Sequence, residues 1–600
     1  MYKRLFIAFI FLTAAGAVGA SAQDASPTPT PLPPAADTQS VQPEDLSGVP
    51  AIAPDYKYDD RSLPDLGRVG VDMDNAKPLG LQEAITLALE NNRDIEVTRK
   101  NVRIAEFDLK AAKGVYEPRF AGDVHYERAK TPVFSFFGGG PDGTLTQTNI
   151  VGNIGLQGLV RSTGGSFSVQ ADSGRNTTNN LFSLVNPIYS SNLRFAYTQP
   201  IFRGLRFDQN RRTIEIAKRN LALTDTQFRQ RSIEVIANVQ RSYWDLAYAL
   251  RNLQVQQEGV RDAKKQLEHN RRLVDEGQLA PIDVVAAETQ VANFELSVYD
   301  ALNIVTQAEN ALKNLISPNR SNAIWTESIT PVESIRLDAP RTSLNEALVA
   351  AMQNRPEIDI NETQKEINRI DQRYFKDQKK PQIDLVASYT AAGSAGSLNP
   401  DATNPLANTL LMNTLITRLN TVSAGTNPEL PPIPPIITTP QTLPDNLIGG
   451  YGDAFGNMFA NRYPTFRVGV QFNLPLFGNK TARAQYGRSL VESERLETQR
   501  EQLEQGIQVE VRNALQMLRT AEARLRAAGI ARANSEKQYD SEKRKLDEGQ
   551  SDIYKVLERQ TALTTARSQE LRAQTELNKA IADLEKATGN TLKTNNVQPK

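Results

Sequence analysis

Few residues in this chain are equipped for catalysis. The 600-residue sequence contains no cysteine and only two histidines, His125 and His269. Thiol chemistry, disulfides, cysteine metal sites and lipid attachment through a cysteine are therefore excluded. The histidines lie far apart and lack a partner pattern; the sequence places His125 in a strand, facing a lumen, and His269 on a helix surface. Gly138-Gly139-Gly140-Pro141 has no following Lys-Ser/Thr, and Gly478-Asn479-Lys480-Thr481 lacks the adjacent Gly-Lys, so neither is a phosphate-binding loop. Carboxylates are numerous, but on long helices they face solvent or form i,i+4 pairs. The expectation is a protein without enzymatic activity or cofactor. Lys plus Arg equals Asp plus Glu at 69 each, a balance that gives no support to a nucleic-acid partner.

The chemistry that remains is that of charged and apolar surfaces, and the elements presenting them occur twice. Residues Leu81 to Tyr126 align without a gap to Leu344 to Tyr389, pairing Glu83 with Glu346, Asn91 with Asn354, Pro118 with Pro381 and Tyr126 with Tyr389. Asp275-Glu276-Gly277-Gln278 matches Asp547-Glu548-Gly549-Gln550, and Gln199-Pro200-Ile201-Phe202 matches Leu474-Pro475-Leu476-Phe477. Each half thus carries the same ordered parts: a helix, a proline-led strand region, a strand ending in proline, and a long helical hairpin. The boundaries read as a signal peptide over 1–22, a Pro/Ala-rich disordered leader over 23–78, a first structural repeat over 79–340, a second over 341–590, and a tail over 591–600.

The amino terminus has the order of a cleavable export signal: Lys3-Arg4, an apolar stretch from Leu5 to Val18, and Ala20-Ser21-Ala22. That stretch is shorter than the roughly 20 residues a spanning helix needs. No later segment is long and uncharged enough to span as a helix, which leaves an exported chain soluble, peripheral or a β-barrel.

From Phe202 to Ala280 there is no proline and glycine occurs only at Gly204, Gly259 and Gly277. A helix over about 206–274 would be on the order of 100 Å long, far beyond an ordinary globular helix. After the first Asp-Glu-Gly-Gln a strict heptad runs through Val284, Val291, Val298, Val305 and Leu312, with Ala287, Phe294, Ala301, Ala308 and Leu315 at the second seam position. The second half repeats it at Val556, Leu563, Glu570, Leu577 and Leu584, and at Arg559, Ala566, Ala573, Ala580 and Ala587. The pattern predicts a left-handed coiled coil, and one face of a helical bundle would satisfy it too. The helices over 81–113 and 282–315 are each about half the long one, so end to end they could lie beside it; 344–378 and 553–587 would do the same beside the run over 480–546.

Between the helices lie four segments of period-two alternation. Phe466, Val468, Val470, Phe472 and Leu474 alternate with Thr465, Arg467, Gly469, Gln471 and Asn473; the others fall near 119–126, 192–198 and 382–389. Each is close to the roughly 9 to 11 residues that cross a bilayer as a tilted strand. A soluble sandwich alternates the same way. The export signal and the aromatics near strand ends (Phe134, Phe136, Phe137, Tyr389, Tyr463, Phe466 and Phe477) favour the membrane. Four strands cannot close a barrel, and open edges in lipid cost several kcal/mol per unpaired group, so the chain must oligomerise: a dimer gives eight strands, a trimer twelve. Residues 129–190 hold a further hairpin, Ile154 to Val160 and Ser166 to Ala171 about Gly164-Gly165, which the pattern leaves either inside or outside the barrel. Residues 391–462 read as mostly irregular. Both connections should lie on the extracellular side.

The order of parts, the Leu-x-Glu-Ala-(Ile/Leu) openings at Leu81–Ile85 and Leu344–Leu348, and the step Gln199-Pro200-Ile201-Phe202-Arg203-Gly204 resemble the TolC family of outer-membrane efflux proteins over about 81–589. The resemblance implies a homotrimer in the outer membrane of a Gram-negative-type bacterium, with a twelve-stranded barrel (four strands per chain) continued by a long periplasmic α-helical tunnel. A periplasmic adaptor and an inner-membrane transporter complete an export or secretion pump of that family. It places the turns Gly277-Gln278 and Gly549-Gln550 at the periplasmic tips, against the adaptor, and Asp283, Lys555 and Glu558 around the aperture. Lys555 stands where an acid is expected. Positions that brace the closed gate in the family correspond to Leu546 and Ser551, so the gate here is held differently. Pro118, Pro200, Pro381 and Pro475 mark the strand–helix junctions. The rival from another class is a non-transporting coiled-coil envelope or surface protein.

Overall fold

The computed structural model describes residues 66–134, 143–402, 408–425, 431–437, 443–475 and 478–597. The export signal, most of the leader, Phe136, Phe137, Gly138 to Pro141 and Phe477 lie outside the described residues. In chain order the elements are β1 (Asp72–Leu79), α1 (Leu81–Asn91), α2 (Arg93–Lys113), β2 (Arg119–Pro132), β3 (Thr144–Leu159), β4 (Ser166–Thr178), β5 (Val185–Pro200), α3 (Gln209–Asp275), α4 (Pro281–Ile316) and β6 (Glu327–Pro331). The second half follows with α5 (Leu344–Asn354), α6 (Pro356–Gln378), β7 (Gln382–Leu398), α7 (Asn408–Ser423), α8 (Tyr451–Phe459), β8 (Tyr463–Asn473), α9 (Lys480–Asp547), α10 (Ile553–Ala587) and α11 (Thr591–Thr594).

The two long helices, α3 with 67 residues and α9 with 68, stand where the proline-free runs predict them. The expected helices over 81–113 and 344–378 are each broken once. At the first break the Asn92 side chain accepts from the backbone N–H of Asp94 at 2.9 Å, starting α2 afresh. At the second, Pro356 pushes Arg355 into an extended conformation and opens α6 at N1. These breaks receive the ends of the hairpin helices. Asn92 Nδ2 donates to the Leu315 carbonyl at the end of α4 (3.1 Å), and Asn354 Nδ2 donates to Asn590 Oδ1 just past α10 (3.3 Å). Two shorter helices and one hairpin helix therefore stack beside each long helix. The heptad positions Ala287, Val291, Phe294, Ala301, Val305 and Leu312 are buried, as are Val556, Leu563, Leu577 and Leu584 with Ala566, Ala573, Ala580 and Ala587. At the seam positions Arg559 and Glu570 the chain departs from apolar packing; Glu570 accepts from Arg532 at 3.0 Å.

The strand count differs from the expected four per chain. One antiparallel sheet contains six, in the order β2-β3-β4-β5-β7-β8. The hairpin expected only over 154–171 extends to β3 and β4 and is paired on both sides, from Arg119↔Gln157 through Ser166↔Thr198. It joins because its alternation is in register with its neighbours. Ile154 and Leu156 share a face with Phe120, Val124, Val169, Ala171, Leu193 and Phe195, and that face continues through Leu385, Tyr389, Phe466, Val468 and Val470. The opposite face carries Asp123, His125, Asn153, Gln170, Asp172, Asn192, Arg194, Thr390 and Arg467. His125 thus faces the polar side, 3.1 Å from Asp123. The sheet is apolar on one side and polar on the other, as a barrel wall between lipid and water requires. Residues 129–190 are accordingly mostly sheet, and 391–462 contains the end of β7 together with α7 and α8.

The leader expected to be disordered through residue 78 is ordered in part, and the tail over 591–600 packs on the core in part. Leader residues from Asp72 form β1, parallel to β6, because Leu79 packs into the core around Tyr243; the Tyr243 hydroxyl donates to the Leu79 carbonyl and accepts from Glu333 N–H, both at 2.9 Å. In the 591–600 tail, Thr591 is buried, Val597 packs on the same core, and Asn595 O accepts from Gln82 Nε2 at 2.9 Å.

Candidate functional site: hairpin tips and strand–helix junctions

The two tips are built alike. Gly277 and Gly549 both have φ of +72°. Each terminates its long helix in a Schellman turn: Gly277 N–H donates to Val274 O (2.9 Å) and Gln278 N–H to Leu273 O (2.8 Å), while Gly549 N–H donates to Leu546 O (2.9 Å) and Gln550 N–H to Lys545 O (2.7 Å). Only glycine takes this left-handed backbone without strain. No neighbouring atom crowds either glycine, so backbone conformation alone demands them.

The tips lie side by side. Leu279, just past the first turn, packs on the cluster formed by Leu546, Ile553, Val556 and Leu557 at the second. His269 on α3 places Nε2 3.7 Å from Asp547 Oδ1, so it belongs to the contact between hairpins and not to a free helix surface. Leu546 is buried in this cluster, and the Ser551 hydroxyl is hydrogen-bonded to Glu542.

The three aperture candidates have different local duties. Asp283 caps α4, accepting from the backbone N–H of Ala280 at 3.2 Å. Lys555 lies on the exposed first turn of α10 and pairs with Asp552 at 3.0 Å. Asp552 also caps α10 by accepting from Lys555 N–H at 2.9 Å. The cap bond and then the ion pair hold the Asp552 carboxyl below the ordinary aspartate range, and the ion pair holds the Lys555 ammonium above the ordinary lysine range. Glu542 is held low, first by the Ser551 hydroxyl and then by Lys545. Glu558 is exposed and lines a cleft of about 770 Å³ with Tyr554, Ala286, Gln290 and Ser535. Across it Gln290 donates to Thr561 at 2.7 Å, joining α4 to α10. Among the described residues no hydrogen bond or ion pair joins Asp283 to Lys555 or Glu558. Sequence reasoning missed Asp552 and Glu542; the signal for Asp552 was its place as an N-cap immediately before α10.

All four prolines stand at strand ends: Pro118 before β2, Pro200 closing β5, Pro381 before β7 and Pro475 after β8. Around them the halves are joined. Gly204 N–H donates to Asp377 Oδ2 (2.7 Å), Arg203 to Gln382 Oε1 (2.5 Å), and Arg212 to Asp371 (2.7 Å). The Arg373 guanidinium lies 4.3 Å from the Phe207 ring centroid and the Lys379 ammonium 3.9 Å from that of Tyr486. This belt fixes where the sheet hands over to the helices.

Geometry of this kind is that of a wall of helices and strands, and among the described residues no cluster of His, Asp or Glu could hold a metal ion. The sequence profile of the outer membrane efflux protein family matches residues 164–317 and 441–590, half of the chain. No curated protein matches the chain significantly. Among solved structures, the CmeC outer membrane channel of Campylobacter jejuni is 17% identical, with 85% of this chain and 86% of that one covered at a TM-score of 0.56. The open-state MtrE outer membrane channel of Neisseria gonorrhoeae is also 17% identical, covering 85% and 89% at 0.55. The VceC outer membrane protein of Vibrio cholerae is 13% identical, covering 85% and 96% at 0.54. With its duplicated helical hairpins, its amphipathic sheet and this profile match, the chain belongs to the outer membrane efflux protein family and is an outer-membrane channel.

Proposed function

We propose that three copies of this chain close an eighteen-stranded barrel, continued by a periplasmic tunnel of helices, as the exit duct of a pump completed by a periplasmic adaptor and an inner-membrane transporter. The observation that carries this is the pair of unsatisfied sheet edges, β2 and β8. β2 runs away from its helices and β8 runs back toward its own, so β8 of one protomer meets β2 of the next in antiparallel sense. Edges left open in lipid would each forfeit several kcal/mol per unpaired backbone group. Widths agree as well. Six strands about 4.8 Å apart and tilted about 40° occupy roughly 38 Å of circumference. Four helices abreast, each about 10 Å across, occupy about 40 Å; four strands would occupy only about 25 Å. Six strands per chain let the wall pass from sheet to helix without a taper, while the three-fold number follows the family.

The chain lacks cysteine, so the seam can be tested cleanly. Cysteine at Val124 on β2 is combined in turn with cysteine at Val468, Val470 or Phe472 on β8. Oxidation in membranes should yield covalent dimers and trimers for at least one pair. Failure of every pair, with the single variants inserted normally, would contradict the seam.

A further inference from the structure

The second half carries a helix where a barrel wall ordinarily shows bare strands. β7 outruns β8: their pairing ends at Ala392↔Tyr463, while β7 continues to Leu398. α8 covers the part left over. Its backbone lies directly on Gly393, where an added Cβ would come within 1.9 Å of the Ala454 carbonyl and 2.5 Å of Met458 N. Asn457 donates to the Ser394 carbonyl at 2.9 Å, and Gly449 N–H to the Gly396 carbonyl at 2.9 Å. The Tyr451 and Tyr189 rings sit 4.5 Å apart. At the other end Asn461, with φ of +52°, turns the chain from α8 into β8, and its side chain accepts from the Tyr389 hydroxyl at 2.6 Å. Ala454, Asn457 and Met458 are buried by this packing.

Gly393 has the same side-chain direction as Ala391, Tyr389 and Leu385, so α8 lies on the apolar, outward face of the sheet. Along one flank of the helix, Tyr451, Phe455 and Phe459 recur at i, i+4 and i+8 and remain 40%, 40% and 76% exposed. Asp453 occupies the other flank, accepting from Gly450 N–H at 2.9 Å.

We infer that α8 is a lipid-contacting helix on the outer wall of the barrel, with Tyr451, Phe455 and Phe459 set into the interfacial zone of the outer leaflet. Continuity argues for lipid as the occupant. The stripe stands beyond Phe466 and Tyr389 on the same face, at the strand ends remote from the periplasmic helices, where amphipathic rings partition between headgroups and chains. A helix only nine residues long cannot span, but it can lie in the interface plane on its apolar side. It thickens the aromatic girdle on one side of each protomer and shields the polar backbone at the unpaired end of β7 from lipid.

This rests on the sheet being a membrane wall, and the test separates the two. Tryptophan is placed singly at Phe459, at Phe455 and, as a reference in mid-sheet, at Val468, in protein reconstituted into vesicles with bromine on the acyl chains near the glycerol or deeper. Emission is read as the difference from the parent, whose Trp244 and Trp325 lie in the periplasmic core. Phe459→Trp and Phe455→Trp should lose at least half of their added emission to shallow bromine, more than to deep bromine, and be little quenched by aqueous iodide. Quenching by iodide and not by bromine, while Val468→Trp is quenched by lipid, overturns the inference alone. Protection from both quenchers would mean that protein covers the stripe and overturns it as well. Absence of lipid quenching at Val468→Trp defeats the membrane wall itself.

Discussion

Between the short helices and the long helix the two halves diverge, while the helices on either side of that connection repeat. The first half places β2, β3, β4 and β5 there; the second places β7, β8 and the helices α7 and α8. The long helices differ by one residue in length, as do the hairpin helices, 36 in α4 against 35 in α10. Stacked helices have both ends fixed, by the breaks at Asn92 and Arg355 and by the tip turns, so a length change misplaces a seam. A sheet wall has no such constraint, since an added hairpin returns the chain to the same side in the same direction. The wall therefore grows by hairpins, and the helical part does not grow.

A second contrast lies in the core. In the first half the buried Glu309 carboxylate accepts from Arg68 at 2.8 Å and from Ile329 N–H at 2.8 Å, and lies 3.4 Å from Lys313, itself fully buried. Burial pushes the Lys313 ammonium down despite that partner. The matching positions in the second half are Ile581 and Glu585. Burial raises the Glu585 carboxyl, and its Oε2 has no hydrogen-bond partner. One half pairs its buried acid with two bases, and the other leaves one oxygen of a half-buried acid without a partner.

Removing the satisfied partner should have the largest effect. Glu309→Ala leaves Arg68 and Lys313 buried without their acid, and should cost about 3–5 kcal/mol, read as a fall in the thermal midpoint of the helical signal. An unchanged midpoint would show that the cluster relaxes into water. At the tips, where the halves agree, Gly549→Val and Gly277→Val should each cost roughly 1–3 kcal/mol locally, through a β-branched residue at positive φ. Export should fall while insertion in the membrane persists; normal export with either variant would remove the tips from the working surface. Asparagine, which tolerates this conformation better, should restore part of the loss.

Glu585→Gln should act in the opposite sense to Glu309→Ala, stabilising by about 1 kcal/mol at neutral pH. A carboxyl raised in the folded state favours folding most below its unfolded pKa, and that advantage is lost as pH rises through the folded value. The gain from glutamine should therefore vanish in acid and be full at neutral pH. Equal gains at both would assign the effect to something other than ionisation. Asp552 should behave inversely, its depressed carboxyl supporting the α10 cap above the ordinary carboxylate range and losing it as pH falls through the depressed value.

The smallest effect concerns the proposed aperture. If Asp283, Lys555 and Glu558 ring it, they make a weakly acidic set, and Asp552 beside Lys555 makes it more acidic than those three alone. Lys555→Asp reverses the single base and should strengthen cation preference in reversal-potential measurements under a salt gradient. Selectivity that does not move would exclude these residues from the conducting path.

Helix positions, tips and junction prolines were legible in the sequence because each rests on local rules: heptad spacing, glycine at positive φ, proline at strand ends. The breaks at Asn92 and Arg355 were equally local, yet apolar periodicity continues across them and hid the caps. The strand count was not legible. In β3 and β4, glycines interrupt the alternation at Gly152, Gly155 and Gly174, and only pairing with neighbouring strands shows Ile154 and Val169 on one face. Glu309 escaped because its meaning depends on burial and on Arg68 far away in sequence, whereas Asp552 is a local N-cap whose signal was present and passed over.

Electron cryomicroscopy of the assembled protein in a lipid nanodisc, sectioned at the level of Val124 and Val468, counts the strands directly. Eighteen strands, with β8 of each protomer against β2 of the next and residues 144–178 within the wall, are the predicted result. Twelve strands, with that hairpin outside the wall and β2 against β5, would contradict it.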